Sequence, residues 1–283
     1  MSKLSEIRWA FDIAKWKPSG AEWARALSSI QKEEQERIGR FVFKRDAKAS
    51  LAGQLMLRKL ARETLQLSND EIKLERTSKG KPYVSNVPNF PYKFNVSHQG
   101  SYTIVAASQS QLVGVDVMRI DWERFEDESK VEAFFHTMRK QFTVNEWNNI
   151  KSGELRKQLA NFYRHWCLKE SYVKAIGVGI TINLQSIDFT VCDDDLTSVV
   201  TSTKLRVNGA LQNDWRFEEQ LLDDKHCACV ALNPSPHGLK SYDRFHLLPL
   251  DELLSMASPL VTVDHQTLAD FEAKEEEPLI LRQ

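Results

Sequence analysis

The stretch FYRHWCLKESYVKAI, residues 162 to 176, constrains this chain more than any other. Phe162, Trp166, Val173 and Ile176 recur at spacings of three, four and seven, the pattern of a helix that lays one face on a hydrophobic core. Lys169, Glu170 and Lys174 interrupt it. An ordinary surface ion pair accounts for two of them, Glu170 preceding Lys174 by one turn in the favourable order and worth about 0.3 to 0.5 kcal/mol. A polar site facing the helix accounts for them equally well, and spacing alone leaves both readings open.

A second helix is written into AKASLAGQLMLRKLARETL, residues 47 to 65, where Ala52, Met56 and Leu60 run beside Leu57, Ala61 and Leu65 as parallel ridges. The runs SYTIVAAS and QLVGVDVM, joined by a polar turn, read as short strands able to pair as a hairpin. Thr143 and Glu146 form a T-x-x-E capping box that opens a short helix before the one predicted over 158 to 177. SIDFTV, TKLRV and CACVAL read as further strands. Strands and helices mix without regular alternation, so the fold class is α+β rather than a doubly wound parallel sheet. A hinge is expected near 119 to 125. From about residue 234 the chain turns proline-containing (NPSPHGLK) and then acidic (DFEAKEEEP), which reads as a mostly mobile tail.

The 283 residues, 42% hydrophobic, suffice for one large core or two modest ones. No apolar run approaches the roughly 20 residues of a membrane helix, and MSKLSEIRWAF lacks the apolar core of a secretory signal, so a cytoplasmic protein is expected. Four scattered cysteines, at 167, 192, 227 and 229, lack zinc-site spacing and are expected reduced. Net charge is −1, yet residues 1 to 118 carry 19 Lys+Arg against 12 Asp+Glu, while the remainder carries 19 against 27. That positive region suits a phosphorylated small molecule and lacks the dense basic runs of a nucleic-acid binder.

Three further stretches hold polar residues that a simple core does not need. FNVSHQG (94–100) offers Asn95, Ser97, His98 and Gln99 along a strand. VGVDVM (113–118) puts Asp116 inside an apolar strand, where an unpaired charge costs several kcal/mol and calls for a cation. RTSKGKPY (76–83) sets Arg76, Lys79 and Lys81 about Gly80, the composition of an anion-binding loop. Asp116 and Glu170 together would hold Mg²⁺, which takes one or two protein carboxylates and completes its octahedron with water and phosphate. A phosphate-binding G-x-x-x-x-G-K-[ST] loop and a G-x-S-x-G nucleophile elbow are both absent.

The ordered set FNVSHQG, VGVDV and HWCLKESYVKAIG closely resembles the successive motifs of the Sfp-type 4′-phosphopantetheinyl transferases, including W-x-x-K-E-[SA]-x-x-K. IRWAF, RIGRFVFKRDAKASLAG and RTSKGKP are similar to the animal branch, and the resemblance spans roughly residues 7 to 232. It implies a pseudo-two-fold pair of similar halves, each a small, mainly antiparallel sheet packed on a long helix. The halves would be 1–118, binding coenzyme A, and 119–235, carrying the metal and the catalytic helix, followed by the 236–283 tail. Coenzyme A would lie in the cleft between them. The implied reaction moves the phosphopantetheine arm of coenzyme A to a serine of an apo carrier domain and releases adenosine 3′,5′-bisphosphate.

By the same resemblance Asp116 and Glu170 would bind Mg²⁺, Glu170 would serve the proton of the attacking serine, and Lys174 would meet the pyrophosphate. Arg45, Arg76, Lys79, Gly80, Lys81, Pro82, Asn95, Ser97 and His98 would bind coenzyme A, with Lys169 a weaker candidate. Many relatives carry an acidic third ligand two residues after the aspartate, where this chain has Met118, a poor partner for a hard cation. Gln99 is expected to supply that oxygen. The clients implied are fatty acid synthase and an aminoadipate-type dehydrogenase, and the protein is expected to act as a monomer. The rival reading is a non-catalytic module that binds coenzyme A or a carrier domain.

Overall fold

The computed structural model describes residues 6–109, 112–125, 127–179, 182–193, 195–234, 244–255 and 257–278. In chain order the elements are β1 (Glu6–Asp12), α1 (Gly20–Ser28), α2 (Lys32–Gly39), α3 (Lys44–Leu65), β2 (Leu74–Arg76) and β3 (Pro82–Val84). Next come β4 (Lys93–Gln99), β5 (Tyr102–Ser108), β6 (Leu112–Arg119), α4 (Glu128–Met138), α5 (Val144–Ile150) and α6 (Leu155–Ile176). β7 (Ile187–Thr190), β8 (Lys204–Val207), β9 (Ala210–Leu211), β10 (Arg216–Asp223) and β11 (His226–Asn233) precede β12 (His246–Leu247), α7 (Leu250–Leu253) and α8 (His265–Ala273). The mixture is α+β, and each of two compact units has a 22-residue helix, α3 or α6, as its spine.

The units do not divide at 118/119. One comprises Met1–Pro91, Ser101–Val105 and His246–Gln283, the other Tyr92–Gly100 and Ala106–Phe245. The expected hinge at 119–125 is not the boundary, because the Ile120 N–H donates to Lys225 O at 2.7 Å and prolongs the pairing of β6 with β11. β6 takes β11 as its antiparallel neighbour along its length, whereas β5, its expected hairpin partner, lies beside β1.

In the first unit α3 is buried at every position from Ala47 to Arg62. The Thr103 hydroxyl of β5 donates to Ala49 O of this helix at 3.1 Å, and its Lys59 ammonium sits 5.4 Å from the centre of the Trp9 ring on β1. Arg58 donates to Asn69 Oδ1 and Ile72 O, fixing the chain that leaves the helix. The expectation of a mostly mobile tail fails in its described residues. β12 pairs in parallel with β1, and Phe271 of α8 stacks on Trp23 of α1 with centroids 3.6 Å apart. The physical reason is that Phe245, Leu248, Leu253, Leu254 and Phe271 are buried, an apolar set diluted by the charged residues between them.

In the second unit β10, β11 and β6 form an antiparallel sheet on which α6 lies. The two meet at Gly114, where any Cβ would overlap the Ser171 carbonyl oxygen and the Ala175 main-chain nitrogen. Only glycine lets the strand carrying Asp116 approach the helix that closely. Around α6 an aromatic cluster of Phe134, Phe135, Phe142, Trp147 and Phe162 fills the rest of the core. The Thr143–Glu146 capping box opens α5 as expected.

Candidate active site

β4 and β6 belong to different main-chain sheets, and side chains join them. Alternate residues of a strand share a face, and on β4 three of the four residues of one face bond to β6. Asn95 Oδ1 accepts the Val115 N–H at 3.0 Å, the Ser97 hydroxyl donates to Asp116 Oδ1 at 2.8 Å, and Gln99 Oε1 accepts the Arg119 N–H. His98 falls on the opposite face and is itself exposed. Asn95 and Ser97 are buried, so these residues of the motif FNVSHQG form a seam.

Asp116 is the centre of the seam. It is buried, its Oδ1 takes both the Ser97 hydroxyl and the Lys174 ammonium, the latter at 2.6 Å, and its Oδ2 is buried without a hydrogen-bond partner. Lys174 also donates to Ser97 Oγ at 2.8 Å. Strand β4, strand β6 and helix α6 thus meet in one three-membered polar cluster.

Lys169, Glu170 and Lys174 of α6 have separate surroundings. Lys174 turns to Asp116 and Ser97 rather than back to Glu170, which disposes of the simple surface pair. Glu170 is half-buried, and burial together with the negative charge of Asp116 raises its pKa against the pull of Lys174. Lys169 faces away from the cluster and is withdrawn as a phosphate contact. It is buried, with its ammonium spent on Glu146 at 2.8 Å and on the carbonyl oxygens of Leu184 and Ile187. Burial pushes the Lys169 pKa down and that of Glu146 up, each resisted by the other's charge. Glu146 in turn accepts the N–H groups of Thr143 and Phe189, tying α6 to α5 and β7. In the sequence Glu146 showed only as a cap, since nothing local links it to position 169.

Met118, half-buried, packs against the hydrophobic cluster of this unit. Among the described residues no group of three or more His, Cys, Asp or Glu side chains is arranged to hold a metal. The donor set present is sparser: one aspartate with an unpartnered buried oxygen and one glutamate sensing its charge. That set fits a hard cation that keeps most of its shell for water and phosphate, and does not fit zinc.

The basic candidates of the other unit fall in two places. Arg76 grips Glu34 through Nε and Nη2, at 2.7 and 3.2 Å, and donates through Nη1 to Gly80 O at 3.0 Å. The loop between is closed by Gly80 N–H to Thr77 O and Thr77 N–H to Lys81 O, with Gly80 at φ +79°, a conformation that favours glycine. Arg76 therefore shapes the loop that carries Lys79 and Lys81, and the buried Pro82 follows it into β3. Arg45 lies apart, in the first turn of α3, paired with Glu277.

Residues 14–110 match the family described as 4′-phosphopantetheinyl transferase, N-terminal, and residues 112–231 match the 4′-phosphopantetheinyl transferase superfamily. The L-aminoadipate-semialdehyde dehydrogenase-phosphopantetheinyl transferase of Rattus norvegicus is 43% identical over 278 residues, covering 92% of this chain and 89% of that protein. The chain belongs to the 4′-phosphopantetheinyl transferase superfamily. The Homo sapiens protein of the same name is 40% identical over 98% of this chain and 94% of its own length. A bacterial relative, the 4′-phosphopantetheinyl transferase gsp of Aneurinibacillus migulanus, is 31% identical over 75% of this chain and 80% of its own. The protein is accordingly an enzyme, a transferase that moves phosphopantetheine from coenzyme A to carrier proteins, and the non-catalytic reading is not favoured.

Proposed function

We propose that the cluster at the junction of β4, β6 and α6 is the catalytic centre of this transferase and that it works with Mg²⁺. The observation that carries the reading is Asp116: one carboxylate oxygen holds Ser97 and Lys174, and the other is buried with no partner. A buried carboxylate oxygen left unpaired is costly, and a cation relieves it. Asp116, Glu170 and Gln99 are the proposed ligands. Gln99 keeps a second lone pair on the oxygen that accepts the Arg119 N–H. Bound there, Mg²⁺ would neutralise phosphate charge at the reacting phosphorus.

The chain's own residues do the rest. Glu170, its pKa raised by burial and by Asp116, takes the proton of the incoming serine hydroxyl. Lys174 presents an ammonium to the pyrophosphate oxygens and stabilises the charge that grows on the leaving bisphosphate. Ser97, which bonds both Asp116 and Lys174, keeps these two in register, and Asn95 positions the strand one residue before Asp116. Arg45, Lys79, Lys81 and His98 are the proposed contacts to the phosphates and adenine of coenzyme A, with Gly80 and Pro82 shaping the loop and Arg76 bracing it. Catalysis of this kind is mainly positioning and electrostatics.

The names of the animal relatives point to an aminoadipate-semialdehyde dehydrogenase as a client. We extend this to the carrier domain of fatty acid synthase, with roles in lysine metabolism and fatty acid synthesis, and to a monomer acting in the cytoplasm. No helix among the described residues is long and apolar enough to cross a membrane. The test is incubation with an apo carrier domain, coenzyme A and Mg²⁺, followed by intact mass. The added phosphopantetheine mass should appear, vanish with EDTA and return with excess Mg²⁺; transfer that persists without divalent ions would refute the metal assignment.

A further inference from the structure

Helix α3 starts without a side-chain cap: Phe43 occupies the capping position and its side chain has no acceptor. The C-terminal segment supplies what is missing. Lys44 N–H donates to Glu275 O at 2.8 Å and Arg45 N–H to Glu276 O at 3.0 Å, so main-chain carbonyls 231 residues later in the chain finish the first turn. Side chains repeat the link. Lys44 Nζ donates to Glu272 O at 2.9 Å, Lys48 pairs with Glu276, and Lys274 Nζ donates to Gly39 O at 3.1 Å. Phe271, stacked on Trp23, anchors the strap upstream.

The last of these contacts falls on Arg45. Its Nη1 donates to Glu277 Oε2 at 2.9 Å, while the side chain stays 26% exposed. A guanidinium has five donors in a rigid plane, so a carboxylate on one edge fixes the direction of the others without consuming them. An isolated arginine on a first turn samples many rotamers, and ordering it on binding costs about 0.5 to 1.5 kcal/mol, or roughly a 2- to 10-fold loss in affinity.

We infer that Glu277 is a positioning residue for coenzyme A binding, holding the Arg45 guanidinium in the orientation that meets the coenzyme's 3′-phosphate, with the 272–277 strap fixing Glu277 itself. The inference rests on the coenzyme A reading of Arg45 given above. It gives the acidic segment a part in substrate selection. Lys48 and Arg45 pair with Glu276 and Glu277, two of the strap's four glutamates, and Asp46 Oδ1 stands 4.0 Å from Arg45 Nε, so a phosphate dianion meets the remaining donors of a guanidinium plane that is already set.

Calorimetric titration of the full-length protein with coenzyme A and with dephospho-coenzyme A, as wild type, Glu277→Gln, Arg45→Ala and the double variant, tests this. Glu277→Gln should weaken coenzyme A roughly 2- to 10-fold and leave dephospho-coenzyme A unchanged. In the Arg45→Ala background the same change should do nothing more, because the residue acts through Arg45. A thermal melt of Glu277→Gln that matches wild type shows that the strap is still docked, and Glu277→Asp should rescue part of the affinity. Tighter coenzyme A binding in Glu277→Gln would overturn the inference by making the carboxylate a competitor of the phosphate. Equal weakening of both ligands would overturn it too. If Arg45→Ala itself leaves the preference for coenzyme A over dephospho-coenzyme A intact, the assignment of Arg45 has failed, an outcome separable from failure of Glu277 alone.

Discussion

Glu170 and Lys174 sit one turn apart on α6, yet Lys174 bonds to Asp116 and Ser97 rather than to Glu170, and replacing each by alanine separates their roles from that of a surface pair. Each variant should lose on the order of 10²-fold in transfer rate, the scale of one positioned acid-base or electrostatic group, while thermal melts show the fold kept. Rates near wild type in either would remove it from the centre. The third proposed ligand is tested by metal titration. Gln99→Ala should raise the Mg²⁺ concentration needed for half-maximal transfer, and adding Met118→Glu should recover part of it, since residues 116 and 118 lie on one face of β6. An unchanged Mg²⁺ requirement in Gln99→Ala would leave that position to water. Asp116 and the two α6 charges were legible in the sequence because charge inside an apolar pattern needs a reason. Glu277 was not, because its partner lies 232 positions away.

At the scale of elements, α6 is a helix fastened along its length. Lys169 ties it to α5 and β7, Gly114 lets β6 touch it, and its own His165 is fully buried. The His165 Nδ1 atom stands 2.9 Å from Asn161 O, and burial pulls the imidazole pKa down to about 4. The folded protein therefore holds this ring neutral while the unfolded chain protonates near 6.5. Below pH 6.5 the unfolded state binds the extra proton, so stability falls with pH down to about 4, by up to about 3 kcal/mol from this one group. Urea melts at pH 7 and pH 5 should show the loss, and His165→Gln should flatten the difference. Equal slopes in the two proteins would clear His165 of the effect. The helices at 47–65 and 158–177 were readable from their 3.6-residue period, although α3 and α6 each begin a few residues earlier than the apolar ridges. The seam of β4 and β6 was unreadable, because it is made by side chains across 20 residues and leaves no periodic trace.

For the molecule as a whole, the segment after residue 244 is structural. Phe271→Ala should cost about 3 kcal/mol, the price of removing a buried aromatic ring, and lower the thermal midpoint measured by circular dichroism. A melt unchanged from wild type would show that α8 is only loosely held. Composition misled here because eight described residues of the segment are acidic while the buried ones are few and widely spaced. Sequence proximity also misplaced the division of the chain, since β4 and nearly all of β6 were expected in the first half, 1–118, whereas both belong to the second unit. The parallel pairing of β12 with β1 has a consequence for biosynthesis. The unit that contains the first strand needs residues 246–278 to close, and these leave the ribosome after every described residue of the other unit. Translation then runs opposite to the usual rule that the N-terminal unit folds first: the unit begun first is finished last, and its open sheet edge must wait, at roughly 5 to 20 residues per second, for the strand that covers it.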